Sequence, residues 1–360
     1  MPRRASRRGP DTDAGDDPDL GRARTLLALW RMARPAQLAL IGLVYGFGVA
    51  MAYGSDAATA SGASGFGSVP IGSIAFGSIV FGPITFGPIT VGPITFGLLA
   101  LVPIAASVHY ANEYADVETD AITTRTPFSG GSGVLAETGL SPRYAAGAAA
   151  VSGGVGLLIV GIGVAPVAGR LLATIPAALL VLVLVVGWQY SLGPLRLAWN
   201  GLGEATNAAL GGVVLPLYGF AVVAGGVTVD AALATLPFAL VVFVNLLETT
   251  WPDRRADAAV GKQTLATRWS PGRLRLAYGL ASAAAVVVTV ALVGRVLPVV
   301  VAAVTLLPMV GLAVGHRRFT RREEPWPAVV TMVALAVATT VGWALVGDVM
   351  PIDLGRWLGV

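Results

Sequence analysis

Residues 96–120, FGLLALVPIAASVHYANEYADVETD, join a long apolar run to a cluster of acids. The run contains no Asp, Glu, Lys or Arg before Glu113, whereas the segment 112–120 holds four carboxylates. A helix needs about 20 mainly apolar residues to cross the hydrocarbon core of a bilayer. Charged side chains are costly inside that core, so acids next to a span mark a functional site. The stretch therefore predicts a transmembrane helix that ends in an acidic site.

The composition of the whole chain indicates the same class of protein. Of its 360 residues, 55% are hydrophobic and only 12% are charged, whereas a soluble domain carries about 25% charged residues. The chain has no cysteine, which excludes disulfides, thiolate metal sites and cysteine nucleophiles. The two histidines, His109 and His316, are too few for a histidine metal cluster. The composition therefore predicts an all-α integral membrane protein.

Nine apolar segments are long enough to form membrane spans. They lie near residues 35–53, 95–113, 143–165, 169–190, 203–225, 231–250, 274–294, 296–315 and 326–347. With the N-terminus in the cytoplasm, 21 of the 24 Lys and Arg residues fall on the cytoplasmic side, and only Arg170, Arg295 and Arg356 fall outside. This bias follows the positive-inside rule. We therefore expect nine spans in the cell membrane, with the N-terminus and the acidic loops cytoplasmic, and no nucleic-acid partner.

The remaining segments predict the domain organisation. Residues 1–30 are polar and rich in Asp, Arg and Pro, which predicts a disordered cytoplasmic tail before a membrane domain at 31–350. Residues 66–97 repeat pentads such as FGPIT in the first outside loop. Gly and Pro at this density oppose a helix, so we expect extended or turn-like structure there. The pentads are either a low-complexity insertion or a small cap on the outer face, and we assign them no chemistry.

The acids of the opening stretch are spaced for one face of a helix. Asn112, Asp116 and Asp120 stand at i, i+4 and i+8, and such residues line one side of a helix. We call these three residues the first acidic row. Carboxylates gathered at a span end repel one another, and a bound divalent cation removes that repulsion. The row therefore predicts a metal site, with solvated acids at a helix end as the alternative.

A second pair of acids has the same spacing. Asp253 and Asp257, the second acidic row, follow the sixth span on the same predicted side of the membrane. Mg²⁺ is usually held by one or two carboxylates together with substrate phosphates. Two facing rows therefore suit a diphosphate bridged by Mg²⁺. Arg125 and Lys262 lie close by in the sequence and would bind the remaining phosphate charge.

The two rows resemble the motifs of the UbiA superfamily of intramembrane prenyltransferases. The family's NDxxDxxxD stands here as NEYADVETD, residues 112–120, and its DxxxD as DRRAD, residues 253–257. The resemblance covers roughly residues 30–347. It implies a bundle of nine helices around a central cavity, with both motifs on the cytoplasmic side.

Three further stretches are most similar to the menaquinone-pathway branch, which prenylates 1,4-dihydroxy-2-naphthoate. They are TRTPFSGGSGVLAETGLSP at 124–142, YSLGPLRLAWNGLGE at 190–204 and DAAVGKQTLATR at 257–268. The sequence also departs from the pattern of the family at two places. Glu113 replaces an Asp of the family motif, and ETTWPD at 248–253 stands where the branch has an Asn-Asn-x-Arg-Asp run.

The resemblance implies Mg²⁺-dependent transfer of a polyprenyl group from its diphosphate to a small aromatic acceptor, in a site open to membrane lipid. It places Mg²⁺ on Asn112, Asp116, Asp120, Asp253 and Asp257. It implies that Arg125 and Lys262 bind the diphosphate.

Four other features have two interpretations each. Tyr190 would line the diphosphate pocket or anchor a helix end at the interface. Arg196 would bind the diphosphate or serve only as a positive-inside charge. Glu204 would orient or deprotonate the acceptor or act as an acid at a helix N-terminus. The sequence SGGSG, residues 129–133, would bind a phosphate through backbone N–H groups or form a hinge.

Two rival functions remain open at this point. One is the same chemistry on another acceptor, such as 4-hydroxybenzoate, a glycerol-phosphate ether lipid, a tetrapyrrole or a carotenoid. The other is a secondary transporter, in which the acids would carry ions. Transporters tend to have repeated halves and acids near mid-membrane, whereas these acids lie at span ends beside Arg and Lys.

Overall fold

The computed structural model describes residues 18–55, 91–166 and 171–347. Within these ranges the chain is helical and forms three isolated β-bridges but no strand. The helices are α1 (Pro18–Met32), α2 (Pro35–Gly54), α3 (Val91–Ala115), α4 (Val117–Ile122), α5 (Val134–Thr138), α6 (Arg143–Val164), α7 (Thr174–Ser191), α8 (Gly203–Ala224), α9 (Val229–Thr250), α10 (Arg254–Ala259), α11 (Leu265–Arg268), α12 (Pro271–Leu292), α13 (Val299–Leu306), α14 (Val310–Arg318) and α15 (Trp326–Val346). One π-helical turn, Leu210–Val214, interrupts α8.

Nine stretches in the described part of the chain are long and apolar enough to cross a membrane. They are α2, α3, α6, α7, α8, α9, α12, α13 with α14, and α15. Each coincides with one of the nine apolar segments to within a few residues, which confirms the predicted all-α membrane architecture. Large apolar side chains on the outer faces are exposed, for example Leu158 and Val287, each at 64%. Lipid covers such a surface without cost, whereas water would not.

The expected disordered tail is wrong for residues 18–30, because this segment belongs to α1. Ala28 and Met32 are buried and pack in one cluster with Tyr110, Ala111 and other residues of α3 and α6. This tertiary contact stabilises a helix that the polar, Asp-rich composition does not favour. Residues 1–17 lie outside the described part.

The expectation for the pentads is wrong at their C-terminal end. Residues 91–97 form the first turns of α3, where Pro93 is tolerated because the first N–H groups of a helix have no intrahelical partner. The hydroxyls of Tyr45 and Tyr218 donate to the carbonyls of Ile94 and Gly97, both at 2.8 Å. Neighbouring spans thus hold this segment helical. Residues 66–90 lie outside the described part.

Small residues let the central helices approach closely. A Cβ at Gly48 of α2 would overlap the carbonyl of Pro216, and a Cβ at Gly219 of α8 would overlap the carbonyl of Tyr45. Glycine at such crossings is typical of helices packed in lipid. Large side chains, including Phe47 and Trp343, fill the core around this crossing.

Two helix junctions at one end of the bundle carry the acids. Asp116 is the single residue between α3 and α4, with φ −97° and ψ 12°. Asp253 occupies the N-cap position of α10, just beyond the end of α9. Both junctions turn the chain across the end of the bundle, so the acids face the space between helices.

Candidate active site

The first acidic row stays in helical register across the junction between α3 and α4. The backbone N–H of Asp116 donates to the carbonyl of Asn112 at 2.9 Å, and that of Asp120 donates to the carbonyl of Asp116 at 2.8 Å. Asp116 is buried, whereas Asn112 and Asp120 are half-buried. The Oδ1 of Asn112 accepts from the hydroxyl of Ser191 at 3.0 Å. The three residues of the row therefore share one helical register, and Asn112 contacts the end of α7.

The second acidic row meets the first at the ammonium group of Lys262. Its Nζ lies 2.9 Å from Oδ2 of Asp116 and 3.7 Å from Oδ1 of Asp257. The backbone of Lys262 is held as well, because its N–H donates to the carbonyl of Asp257 at 2.8 Å. Both rows thus line one site, although they are more than a hundred residues apart in the sequence.

Two carboxylate oxygens at this site are buried and have no hydrogen-bond partner among the described residues. They are Oδ1 of Asp116 and Oδ1 of Asp253. A buried oxygen without a partner is costly unless a cation or a donor occupies the space beside it. These atoms therefore fit a bound cation, and Lys262 neutralises part of the charge of Asp116 through its ion pair.

The environment shifts the pKa values of the acids that lie outside the spans. Burial, followed by repulsion from Asp116, raises the pKa of Asp120 to about 7. Burial also raises the pKa of Asp253 to about 6 and that of Asp257 to about 7, against the attraction of Lys262. Burial lowers the pKa of Lys262, but attraction to Asp116 and Asp257 outweighs it, so the value lies above its ordinary range. The carboxylates of the two rows therefore outnumber the positive charges close to them.

We call residues 129–133, the SGGSG sequence, the glycine loop. It crosses the site and touches both rows. The N–H of Gly130 donates to Oδ2 of Asp253 at 3.2 Å. The backbone of Gly131 lies so close to the Asp120 carboxylate that a Cβ there would overlap it. Gly130, Gly131 and Gly133 all have positive φ values, which glycine adopts without strain. Two backbone N–H groups of the loop donate to carboxylates, and whether the loop binds a phosphate or acts as a hinge stays a prediction.

Glu113 anchors the glycine loop, and sequence reasoning missed this arrangement. Its carboxylate accepts from Arg34, with Nε and Nη2 at 2.9 and 2.5 Å from Oε1. It also accepts from Ser132, with the backbone N–H at 2.9 Å and the hydroxyl at 2.6 Å. The Arg-Pro pair at the start of α2 was the only sequence signal for Arg34.

Arg125 and Arg196, both predicted to bind the diphosphate, have protein partners in the structure. Arg125 forms an ion pair with Glu137 at 2.5 Å, and Glu137 also pairs with Arg31 at 2.7 Å. Arg196 is exposed and stacks on the Trp199 ring, 4.1 Å from its centroid. Neither guanidinium contacts an acidic row in the described structure.

Glu204 and Tyr190 flank the segment that carries Lys262. Oε1 of Glu204 accepts from the N–H of Leu265 at 2.8 Å, at the start of α11, while its Oε2 is buried without a partner in the described ranges. Tyr190 is half-buried and interacts electrostatically with Lys262. Trp199, which sequence reasoning did not single out, lies 5.7 Å from the Lys262 ammonium.

The protein alone does not complete a metal site in the described ranges. No group of three His, Asp or Glu side chains there comes close enough to hold a metal ion.

The fold is similar to those of solved UbiA homologues. A homologue from Archaeoglobus fulgidus, solved with DMAPP and Mg²⁺, is 14% identical with a TM-score of 0.60, over 89% of this chain and 99% of that one. An apo homologue from Aeropyrum pernix K1 is 17% identical with a TM-score of 0.58, over 85% and 98%. A structure described as digeranylgeranylglyceryl phosphate synthase is 12% identical with a TM-score of 0.57, over 89% and 98%.

A match to a protein-family model identifies the family of this chain. The model of the UbiA prenyltransferase family matches residues 74–325, which is more than half of the chain. This chain belongs to the UbiA prenyltransferase family. It is therefore a multi-pass membrane enzyme that transfers prenyl groups, and the transporter alternative is rejected. A comparison with curated protein sequences gives no significant match.

Proposed function

We propose that this UbiA enzyme transfers a polyprenyl group from polyprenyl diphosphate to a small aromatic acceptor, with Mg²⁺ bound between the two acidic rows. The observation that carries the proposal is the meeting of Asp116 and Asp257 at Lys262, within 4 Å of one ammonium group. As acceptor we propose 1,4-dihydroxy-2-naphthoate, in menaquinone biosynthesis. The acceptor rests on the three stretches similar to that branch, not on the geometry.

The residues present fit a Mg²⁺-bound diphosphate. Asp116 and Asp253 each offer a buried oxygen without a partner, and Asn112, Asp120 and Asp257 supply further oxygens along the rows. The Archaeoglobus fulgidus homologue with DMAPP and Mg²⁺ supports this ion and this class of donor. When bound, Mg²⁺ would neutralise the negative charge that grows on the departing diphosphate.

The protein's own donors would act on the same leaving group. Lys262 is held by Asp116 and Asp257 in the structure, and we propose that its ammonium donates to the diphosphate when that substrate enters. The N–H of Gly130 points at the Asp253 carboxylate and would serve the diphosphate in the same manner. These groups are fixed before the reaction, which is the condition for effective electrostatic stabilisation.

The bond changes are those of an allylic substitution. The C–O bond to the diphosphate breaks, and the diphosphate leaves with the electron pair. A ring carbon of the acceptor forms the new C–C bond, and the acceptor then loses a proton, or CO₂ for the naphthoate. We propose that Oε2 of Glu204, which has no hydrogen-bond partner among the described residues, orients a hydroxyl of the acceptor.

An apolar groove offers a path for the prenyl tail. It has a volume of about 500 Å³ and is lined only by apolar side chains of α8, α9 and α12, among them Ala209, Leu236 and Phe243. Ala208, which lines the groove, is one helix turn from Glu204. At about 1.5 Å per residue, the lining of α9 from Leu236 to Phe243 spans roughly 10 Å. The volume is within the range of about 300–1,000 Å³ typical of small-molecule sites.

The proposed function is tested with membranes that contain the full-length protein. They are incubated with Mg²⁺, geranylgeranyl diphosphate and one acceptor at a time: the naphthoate, 4-hydroxybenzoate or a glycerol-phosphate lipid. We expect a prenylated naphthoate, detected by mass spectrometry, that is absent when EDTA is added. Product with another acceptor alone would overturn the naphthoate assignment, and no product with any acceptor would overturn the proposed donor chemistry.

A further inference from the structure

Glu113 stands inside the acidic motif but differs from its neighbours in how its oxygens are used. It is only 2% exposed, and it accepts four hydrogen bonds, two from Arg34 and two from Ser132. An ionised carboxylate has about four lone-pair sites in total. Oε1 accepts three of these bonds and Oε2 accepts one, so protein donors use most of the hydrogen-bonding capacity of Glu113.

The first partner of Glu113 is held in an unusual conformation. Arg34 has φ 55° and ψ 69° just before α2, a region that residues other than glycine seldom adopt and that is maintained only where the surroundings enforce it. His109 binds the carbonyl of Ala33 at 2.8 Å, and Tyr110 donates to the carbonyl of Leu29 at 3.0 Å. One side of α3 therefore fixes the junction between α1 and α2, and with it the guanidinium of Arg34.

The second partner belongs to the glycine loop. Ser132 offers both its N–H and its hydroxyl to Glu113, while Gly130 in the same loop donates to Asp253. Gly131 packs against Asp120 between them. A short loop with several glycines is flexible by itself. Its position over the two acidic rows therefore depends on the points at which it is tied, and Glu113 supplies the two hydrogen bonds that hold its Ser132 end.

We propose that Glu113 is a positioning residue that holds the glycine loop so that the N–H of Gly130 faces the diphosphate. The proposal rests on the proposed function, because it names the part of that site that binds the leaving group. The ion pair with Arg34 holds the Glu113 carboxylate in place, and the hydrogen bonds from Ser132 tie the loop to that carboxylate.

The experiment uses Ser132→Ala in the full-length enzyme, since this change removes the 2.6 Å hydrogen bond and leaves the Arg34 pair intact. We expect the KM for the prenyl diphosphate to rise roughly tenfold, as for loss of a hydrogen bond to a charged group. We expect kcat and the Mg²⁺ concentration for half-maximal activity to stay within about twofold. Ser132→Thr, which keeps the hydroxyl, should restore most of the KM. Ser141→Ala, on the exposed surface between α5 and α6, is the matched control and should change none of these values.

A second measurement does not require activity. Amide hydrogen exchange of residues 129–133 should become at least about tenfold faster in Ser132→Ala, with the melting temperature unchanged, because the loop then opens locally. Unchanged exchange and unchanged KM would overturn the positioning role. A shift in the Mg²⁺ requirement of Glu113→Asp without any change in loop exchange would assign Glu113 to the metal instead. If the wild-type enzyme transfers no prenyl group, the proposed function fails while the exchange measurement still tests the loop.

Discussion

Two carboxylates three residues apart, Glu113 and Asp116, are both buried but have opposite surroundings. Glu113 accepts four hydrogen bonds from Arg34 and Ser132. Asp116 binds Lys262 with one oxygen and leaves its Oδ1 buried without a partner among the described residues. A satisfied buried carboxylate stabilises structure, whereas an unsatisfied one costs free energy until a cation, a water molecule or another donor occupies the space beside it. On the proposed function, the difference separates the part of the motif that holds the fold from the part that binds Mg²⁺.

The substitution Asp116→Asn is the strongest test of this difference between Glu113 and Asp116. The change keeps the shape but removes the charge on which both Lys262 and the proposed Mg²⁺ depend. We expect turnover to fall about 1,000-fold, the size of effect seen when a main electrostatic stabiliser is removed, with the melting temperature lowered by no more than a few degrees. Steady-state rates and thermal unfolding in the same detergent provide the measurement. Glu118→Gln, at an exposed position two residues further on, should retain full turnover.

The raised pKa values of the acidic rows predict how Mg²⁺ binding depends on pH. Asp120 and Asp257 have pKa values of about 7, and Asp253 of about 6, because burial favours the neutral form. Below these values the acids hold protons that the cation must displace, so affinity rises with pH. We expect the Mg²⁺ affinity to increase about tenfold per pH unit for each proton displaced between pH 6 and 7 and to level off above pH 8. An affinity that does not change from pH 6 to 8 would contradict the assignment.

The groove predicts a smaller effect that depends on the length of the tail. Ala209 lines the groove and is exposed, so Ala209→Phe would fill part of it without disturbing the core. We expect kcat/KM for geranylgeranyl diphosphate to fall about fivefold, about 1 kcal/mol of lost apolar contact, while dimethylallyl diphosphate is used as before. Ala283→Phe, exposed on α12 away from the groove lining, is the control. Equal losses for both donors would rule out the groove as the path of the tail.

The nine spans and the two acidic rows were predictable because each is a local pattern. Hydropathy over about 20 residues gives a span, and the i, i+4 spacing of Asp253 and Asp257 gives a row. The meeting of the rows was inferred only from their equal spacing and their common side of the membrane. The structure adds Lys262 as the side chain at which they meet.

The features that sequence reasoning missed depend on contacts between distant segments. Arg34 and Glu113 are 79 residues apart, and no periodicity connects them. The helix at 91–97 forms against Tyr45 and Tyr218 although Gly and Pro oppose it locally. Likewise, Arg125 was assigned to the diphosphate from its position after the motif, but the structure shows its ion pair with Glu137. Tertiary packing decides such cases, and local propensity does not reveal it.

The central claim is that both rows act together on one Mg²⁺-bound diphosphate, and a binding measurement tests it most directly. Calorimetry with a non-reactive thio analogue of geranyl diphosphate is carried out with and without Mg²⁺, on the wild type, Asp116→Asn and Asp257→Asn. The account predicts Mg²⁺-dependent binding in the wild type and a similar loss, of about 100-fold or more, in both variants. Wild-type affinity in either variant, or binding that does not depend on Mg²⁺, would contradict it.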